Sequence, residues 1–168
     1  MTDYPKITTY TSICVILLRE LRIERGIHQA QVADWIGKSP SAWTKVEAGK
    51  SPLQFETFAR VCLSFQVQPS TVMAAAERYS QLLRQHQWAV LATELSLDED
   101  GLLRAAQDYW VSPGYRNFVP TPWAPSVLNG PLYNPDNSIT LALSVRFALD
   151  KAFHEAQLVT KTSLNGPA

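Results

Sequence analysis

The chain has 168 residues, of which 46% are hydrophobic and 18% charged, a composition typical of a folded globular protein and a length too short for a large enzyme domain. Its two cysteines are too few for a disulfide scaffold, and its longest apolar run, 13–18, is far shorter than a membrane span. The polar segment 1–11 lacks the features of a secretory signal, so we expect a cytoplasmic protein with no membrane partner.

Four short helices are predicted near the start of the chain, because apolar residues recur there at spacings of three and four. They span 13–25, 29–36, 40–47 and 54–65. Glycines follow the first three, as is common where helices end. On the third helix we expect Trp43 and Val46 to face inward. On the fourth, the inward residues are expected to be Phe55, Phe58, Ala59, Cys62 and Leu63.

A fifth helix is predicted from Ser70 to beyond Val90. Its apolar stripe alternates steps of four and three, which suits either the core of the same chain or a seam between two subunits. The stripe consists of Val72, Ala76, Tyr79, Leu83, His86 and Val90. After it, Ser96 and Glu99 have the spacing of a capping box and predict another helix, which runs through Tyr109.

The segment 110–135 changes character, since it contains six prolines and several aromatic residues but few charges. We expect an ordered loop that wraps over a surface. Residues 139–147 alternate as a strand would, yet no partner strand is evident, and 148–158 has helical character. We favour one helix over 138–158; if 139–147 is a strand, we expect it to pair across a dimer axis. Residues 160–168 are expected to be loose.

A set of positions from the first helix to the turn after the third helix resembles the Xre/Cro family of phage and bacterial repressors. The resemblance covers residues 13–75, and the matching positions stand in order without a gap. They are Leu18, Arg19, Glu20, Leu21, Arg22, Gly26, Gln29, Val32, Ala33, Gly37, Ser39, Val46, Glu47, Gly49 and Lys50. The resemblance implies a five-helix DNA-binding domain whose third helix enters the major groove. Two positions depart from it: Pro40 replaces a polar residue, and Trp43 is larger than the usual aliphatic anchor.

The third helix has the features of a DNA-reading helix. Ser39 can cap its first turn, and Pro40 suits the first helical position, where its missing N–H is not needed. Ser39, Ser41, Thr44 and Lys45 are expected on its outward side. We expect Ser41, Thr44 and Lys45 to read bases, with methyl contacts from Pro40 or Ala42 to thymine.

Residues beside this helix are expected to position it on the DNA. Lys50 and Lys38 would neutralise phosphates. Gln29, at the first turn of the second helix, would meet a phosphate; by resemblance, it would brace the third helix or touch a base. Glu47 is expected to play a structural role, in which it pairs with Arg22 or a backbone N–H, and Arg22 is then structural or contacts a phosphate.

Enzyme and metal functions are not expected. His28, His86 and His154 lie on separate elements without ligand-like neighbours, and the glycines are spread singly, without a phosphate-binding loop. The acidic run 98–100 is typical of the first turn of a helix. We therefore expect neither a metal nor a cofactor.

The sequence thus predicts a mostly all-α regulator, with a DNA-binding domain at 10–75 and a C-terminal dimerisation or regulatory region at 76–168. Lys and Arg exceed Asp and Glu by nine to seven up to Ser80 and fall short by six to eight after it, so the basic excess accompanies the motif. The N-terminal unit is expected to close its own small core. We expect a homodimer formed mainly by residues after Ser70 that binds an inverted repeat in double-stranded DNA and acts as a repressor.

Three alternatives stay open. The protein could be an antitoxin whose proline- and aromatic-rich segment binds a toxin. It could be a sensor in which Trp110, Trp123 and Tyr133 line a pocket for a small-molecule effector. Finally, it could be an interaction module whose helix-turn-helix no longer contacts DNA.

Overall fold

The computed structural model describes residues 4–159 and confirms the all-α class. In this part of the chain nine α-helices are joined by short turns, one 3-10 turn and four strands of two or three residues. The helices are α1 (Tyr10–Glu24), α2 (Gln29–Trp35), α3 (Pro40–Glu47), α4 (Phe55–Ser64), α5 (Pro69–Gln85), α6 (Gly101–Trp110), α7 (Pro113–Arg116), α8 (Leu143–Leu149) and α9 (Lys151–Leu158). The strands are β1 (Ile7–Thr9), β2 (Ala89–Leu91), β3 (Leu132–Tyr133) and β4 (Ile139–Thr140). The predicted loose segment 160–168 lies outside the described residues.

The first four helices confirm the predicted order. Helix α1 begins earlier than predicted because Thr9 caps it, accepting a hydrogen bond of 3.0 Å from the Ser12 N–H. On α4 the predicted inward face is partly wrong. Phe55 and Leu63 are exposed, while the buried side consists of Thr57, Phe58, Val61 and Cys62.

Helix α5 ends at Gln85, so the prediction that it extends beyond Val90 is wrong. Gln87 adopts a left-handed conformation with φ of 65° just after the helix ends. Val90 then pairs with Thr8 in a parallel two-stranded sheet of β1 and β2. The stripe residues that lie on α5, namely Val72, Ala76, Tyr79 and Leu83, are buried within the same chain, where α5 packs against α1. The core-facing alternative is therefore confirmed and the subunit seam is wrong for these four residues, whereas His86 lies beyond the helix and is exposed.

The cap of α6 also differs from the prediction. The helix begins at Gly101 and is capped by Asp100, while the predicted capping box at 96–99 forms a turn. The buried Asp100 carboxylate accepts hydrogen bonds from the Thr8 hydroxyl at 2.8 Å and the Ser12 hydroxyl at 2.5 Å. Because it joins α6 to β1 and to α1, this carboxylate has partners that local spacing cannot indicate.

The end of the described chain corrects the prediction of one helix over 138–158. Residues 139–140 form β4, which pairs antiparallel with β3 inside the proline-rich segment, so the partner strand is in the same chain. Helices α8 and α9 follow, and Asp150 separates them because it leaves the helical conformation and caps α9 through the Phe153 N–H at 3.0 Å.

One continuous cluster of buried side chains runs from α1 to α8 and includes residues on both sides of position 75. Helix α1 supplies much of it, and α5 and α6 both pack on α1. The apolar surface of α1 is therefore covered by the C-terminal half of the chain. No helix within residues 4–159 has the length and apolar character that a membrane crossing requires.

Candidate nucleic-acid interface

The turn between α2 and α3 is fixed by backbone and cap interactions. Gly37 has φ of 69°, a left-handed conformation that favours glycine, and the Lys38 N–H donates to the Ala33 carbonyl at 2.9 Å. Ser39 then caps α3 by accepting from the Ala42 N–H at 3.2 Å, and Pro40 takes the first helical position. The direction of α3 relative to α2 is thereby set by local sequence.

Helix α3 has an inner and an outer side, as predicted. Trp43 and Val46 are buried in the core. The residues expected to contact DNA around the first turns are all exposed, namely Lys38, Ser39, Pro40, Ser41, Thr44 and Lys45. The structure therefore confirms the orientation of the helix, while the contact of each residue with DNA stays a prediction.

Gln29 lies against α3 rather than free in solvent. It is half-buried, its side-chain N–H donates to the Glu47 carboxylate, and its Oε1 lies 3.1 Å from the Thr44 hydroxyl, which is also 2.9 Å from the Pro40 carbonyl. The bracing role that the resemblance implies for Gln29 is confirmed. Its contact with a base or phosphate stays a prediction.

Glu47 forms the predicted ion pair with Arg22 across the inner side of α3. The Arg22 Nε lies 2.6 Å from Glu47 Oε1, and the carboxylate side chain is only 1% exposed. Arg22 also donates to the Ile27 carbonyl at 2.8 Å, so one guanidinium joins α1, α3 and the turn before α2. A buried pair of this kind fixes geometry, because either charge left alone would be strongly unfavourable.

The structure adds two contacts at the end of α3 that sequence reasoning missed. The Gln107 side chain on α6 donates to the Glu47 backbone carbonyl at 2.9 Å. Gly49, with φ of 74°, packs so closely on Leu103 of α6 that an added Cβ would lie 2.4 Å from Leu103 Cδ2. The C-terminal half therefore holds the end of α3 directly. No local signal in the sequence indicates contacts across such separations.

The exposed charges around α3 are mainly positive. From α2 to the turn after α3, Lys38, Lys45 and Lys50 are exposed cations, and Lys50 follows the helix with its N–H bonded to the Lys45 carbonyl at 2.9 Å. Asp34 is the exposed anion of this stretch, since Glu47 is buried against Arg22. This distribution suits a phosphate backbone although the net charge of the whole chain is zero.

The three aromatic residues predicted to line an effector pocket do not line the cavity that lies beside α1. Trp110 is buried at 5% exposure, whereas Trp123 is 91% exposed and Tyr133 64% exposed, and none of them lines the largely apolar cavity beside α1. That predicted set is wrong because aromatic residue type does not indicate which side chains of the segment turn inward. Within residues 4–159 no three His, Cys, Asp or Glu side chains lie close enough together to hold a metal ion.

A family model described as a helix-turn-helix domain matches residues 15–75, from within α1 to within α5. The chain thus carries a helix-turn-helix domain, which supports a DNA-binding regulator. No curated protein and no solved structure matches the chain significantly.

Proposed function

We propose that the protein is a sequence-specific transcriptional regulator of the Xre/Cro type, which acts as a repressor and binds an inverted-repeat operator as a dimer. It acts by binding, without catalysis. The observation that carries the proposal is the two-sided character of α3, whose inner side is fixed by Trp43, Val46 and the Arg22–Glu47 pair while its outer side is polar and unobstructed. For the repressors that the chain resembles, such action takes place in the cytoplasm.

Base reading is assigned to the outer side of α3. A major groove about 12 Å wide admits a helix, and the capped first turn would lead. Lys45 can donate to guanine O6 and N7, Ser41 and Thr44 can reach either kind of base edge, and the Pro40 ring can contact a thymine methyl group. Because Gln29 orients the Thr44 hydroxyl, the second helix contributes to specificity through the third.

Phosphate contacts are assigned to Lys38 and Lys50, which flank α3 at its two ends. Each cation that pairs with a phosphate releases counterions, so it contributes to affinity on every DNA sequence. The two groups of residues therefore separate the reading of sequence from attachment to the backbone.

A two-fold dimer is proposed because one short helix reads only a few base pairs. The apolar stripe residues on α5, from Val72 to Leu83, are buried within the chain, so the interface needs another surface. After Ser70, large apolar side chains are exposed in the proline-rich segment, where Val119 is 79% and Trp123 91% exposed. We assign the dimer contact to this segment.

The same exposed segment supports a second candidate function, that of an antitoxin whose Val119 and Trp123 bind a toxin. The two candidates differ in stoichiometry. Light scattering on the pure protein would give a dimer in the first case. In the second case, a small protein expressed with the chain would co-purify with it, and changing Trp123 to Ser would release that protein.

Binding-site selection from random double-stranded DNA, repeated at several salt concentrations, tests the proposed function. We expect a palindrome whose half-sites lie about 34 Å apart, and an affinity that falls steeply as salt rises. Recovery of no motif, together with salt-independent binding or none, would contradict the proposal. A single half-site without symmetry would contradict the dimer alone.

A further inference from the structure

A cavity of about 480 Å³, open to solvent on one side, lies beside α1, where it is bounded by that helix, the segment 118–127, the β3–β4 hairpin and the start of α8. Its wall is mostly apolar and includes Ile23, Phe118, Leu132 and Leu141. A cavity of this volume is typical of sites that bind small organic molecules.

Two carboxylates bring charge to this wall, and among the described lining residues they are the charged ones. Glu20 and Glu24 stand one turn apart on α1 and therefore share a face of the helix. Glu20 Oε1 accepts from the Ser144 hydroxyl at 2.5 Å. Glu24 accepts from the Ser126 hydroxyl and the Val127 N–H, both at 2.8 Å. These bonds hold the carboxylates in place without neutralising them.

Two arginines near the cavity form no ion pair with Glu20 or Glu24 and have other partners among the described residues. The Arg19 guanidinium lies over the Trp110 ring, 3.9 Å from its centroid, and Arg78 donates to the carbonyls of Leu128 and Gly130 at 2.6 Å and 3.2 Å. Burial raises the pKa of Glu20, although the Ser144 hydrogen bonds and the charge of Arg19 act in the opposite direction. A ligand that brought its own positive charge would favour the ionised form of this carboxyl.

We propose that the cavity binds a small organic cation, with an apolar body packed against the proline-rich wall and a protonated amine paired with Glu20 and Glu24. The charge of the wall argues against an anionic ligand, because a carboxylate or phosphate would meet two acidic groups of the same sign. The apolar wall also argues against a bare metal ion or a strongly hydrated amine, because neither has apolar surface to bury against it.

The position of the site on α1 also indicates a route to α3. Arg22, between the two carboxylates in sequence, forms the buried pair with Glu47. A ligand that shifts α1 would therefore act on the helix assigned to DNA. Binding of the cation does not depend on the proposed function, whereas its role as an effector rests on that function.

Isothermal titration calorimetry of the full chain without DNA tests the binding site. The probes are 4-phenylbutylamine, the uncharged 4-phenylbutanol and the anionic 4-phenylbutyrate, which share one apolar body. We expect the amine to bind one site per chain, about tenfold or more tighter than the acid, which corresponds to about 1.4 kcal/mol. Equal affinities for amine and acid, or no saturable binding of the amine, would overturn the proposal.

Variants locate the site. Glu20→Gln and Glu24→Gln keep the side-chain shape, and each should remove most of the preference for the amine. Glu56→Gln, which changes an exposed carboxylate on α4, should leave the preference unchanged. Ala124→Trp should fill the cavity and weaken all three probes. Retention of the preference in both carboxylate variants would overturn the proposal. If the protein binds the amine but selects no DNA motif, the ligand site stands and the proposed function is contradicted. If it selects a DNA motif but does not bind the amine, the proposed function stands and the ligand site is contradicted.

Discussion

The helix-turn-helix and the C-terminal half share one core but expose different surfaces. Helix α3 exposes polar side chains such as Ser41 and Lys45, whereas the proline-rich segment 110–135 exposes Val119 and Trp123. The first surface suits a charged, hydrogen-bonding partner such as DNA, and the second suits an apolar protein partner. Residues of α6 hold the end of α3, whereas the outer side of α3 is assigned to DNA. Variants of the buried contacts should therefore change the free energy of unfolding, and variants of the outer side should change DNA binding.

The most severe test of the shared core is a chain that ends after Gln87. It keeps α5 on α1 but lacks α6, which also packs on α1, together with β2, the partner of β1. Although the sequence led us to expect that the N-terminal unit closes its own core, the continuous cluster predicts that this shortened chain loses cooperative unfolding. Thermal denaturation followed by circular dichroism checks this. A sharp transition and dispersed amide NMR signals would show that the two regions fold independently.

The inner side of α3 is tested by removal of its ion pair. Glu47→Ala leaves Arg22 without its partner at 11% exposure, and we expect a loss of about 3–5 kcal/mol in the free energy of unfolding. The matched control is Glu56→Ala, which breaks an exposed pair with Arg60 and should cost about 0.3–0.5 kcal/mol. Urea unfolding measures both variants. Similar losses would mean that the buried pair does not hold α3.

Variants of Ser39 and Ser41, at the start of α3, distinguish helix capping from base contact. Ser39→Ala removes the cap of α3 and should lower the free energy of unfolding by about 1 kcal/mol. Ser41→Ala removes an exposed hydroxyl, so its unfolding should be almost unchanged while its affinity for the selected operator falls. Urea unfolding and fluorescence anisotropy with operator DNA distinguish the two. A destabilised Ser41 variant with intact affinity would assign both serines to structure.

The sequence predicts the helix-turn-helix well because its signals are local. A cap at Ser39, a proline at position 40 and a left-handed glycine at 37 fix the turn within a few residues, and the resulting orientation of α3 follows. The Arg22–Glu47 pair was also predictable, since the resemblance places both residues. These interactions depend on short separations or on a known pattern.

The C-terminal half was less predictable because its structure depends on long-range partners. Val90 forms a strand only because Thr8 lies beside it, and Ile139 does so because Tyr133 pairs with it. The Asp100 cap is fixed by hydroxyls from β1 and α1, and the contact of Gln107 with α3 spans two regions. Hydrophobic periodicity reports which face of an element is buried, but not which element covers it.

Variants of two lysines test the proposed docking of α3 most directly. If α3 lies in the major groove, Lys45 on its outer side contacts bases, and Lys50, which follows the helix, contacts only phosphate. Neither Lys45→Ala nor Lys50→Ala should change the free energy of unfolding, since both side chains are exposed. Lys151→Ala, a change of an exposed cation on α9, is the control for removal of a positive charge.

Binding-site selection with each variant should give different results. Lys45→Ala should lose about 1–3 kcal/mol on the wild-type operator and relax the preference at one base pair of each half-site. Lys50→Ala should weaken all sequences alike, keep the motif, and lower the salt slope by about one for each phosphate that the variant no longer neutralises. If Lys45→Ala keeps the wild-type motif while Lys50→Ala alters it, α3 does not lie in the major groove as proposed.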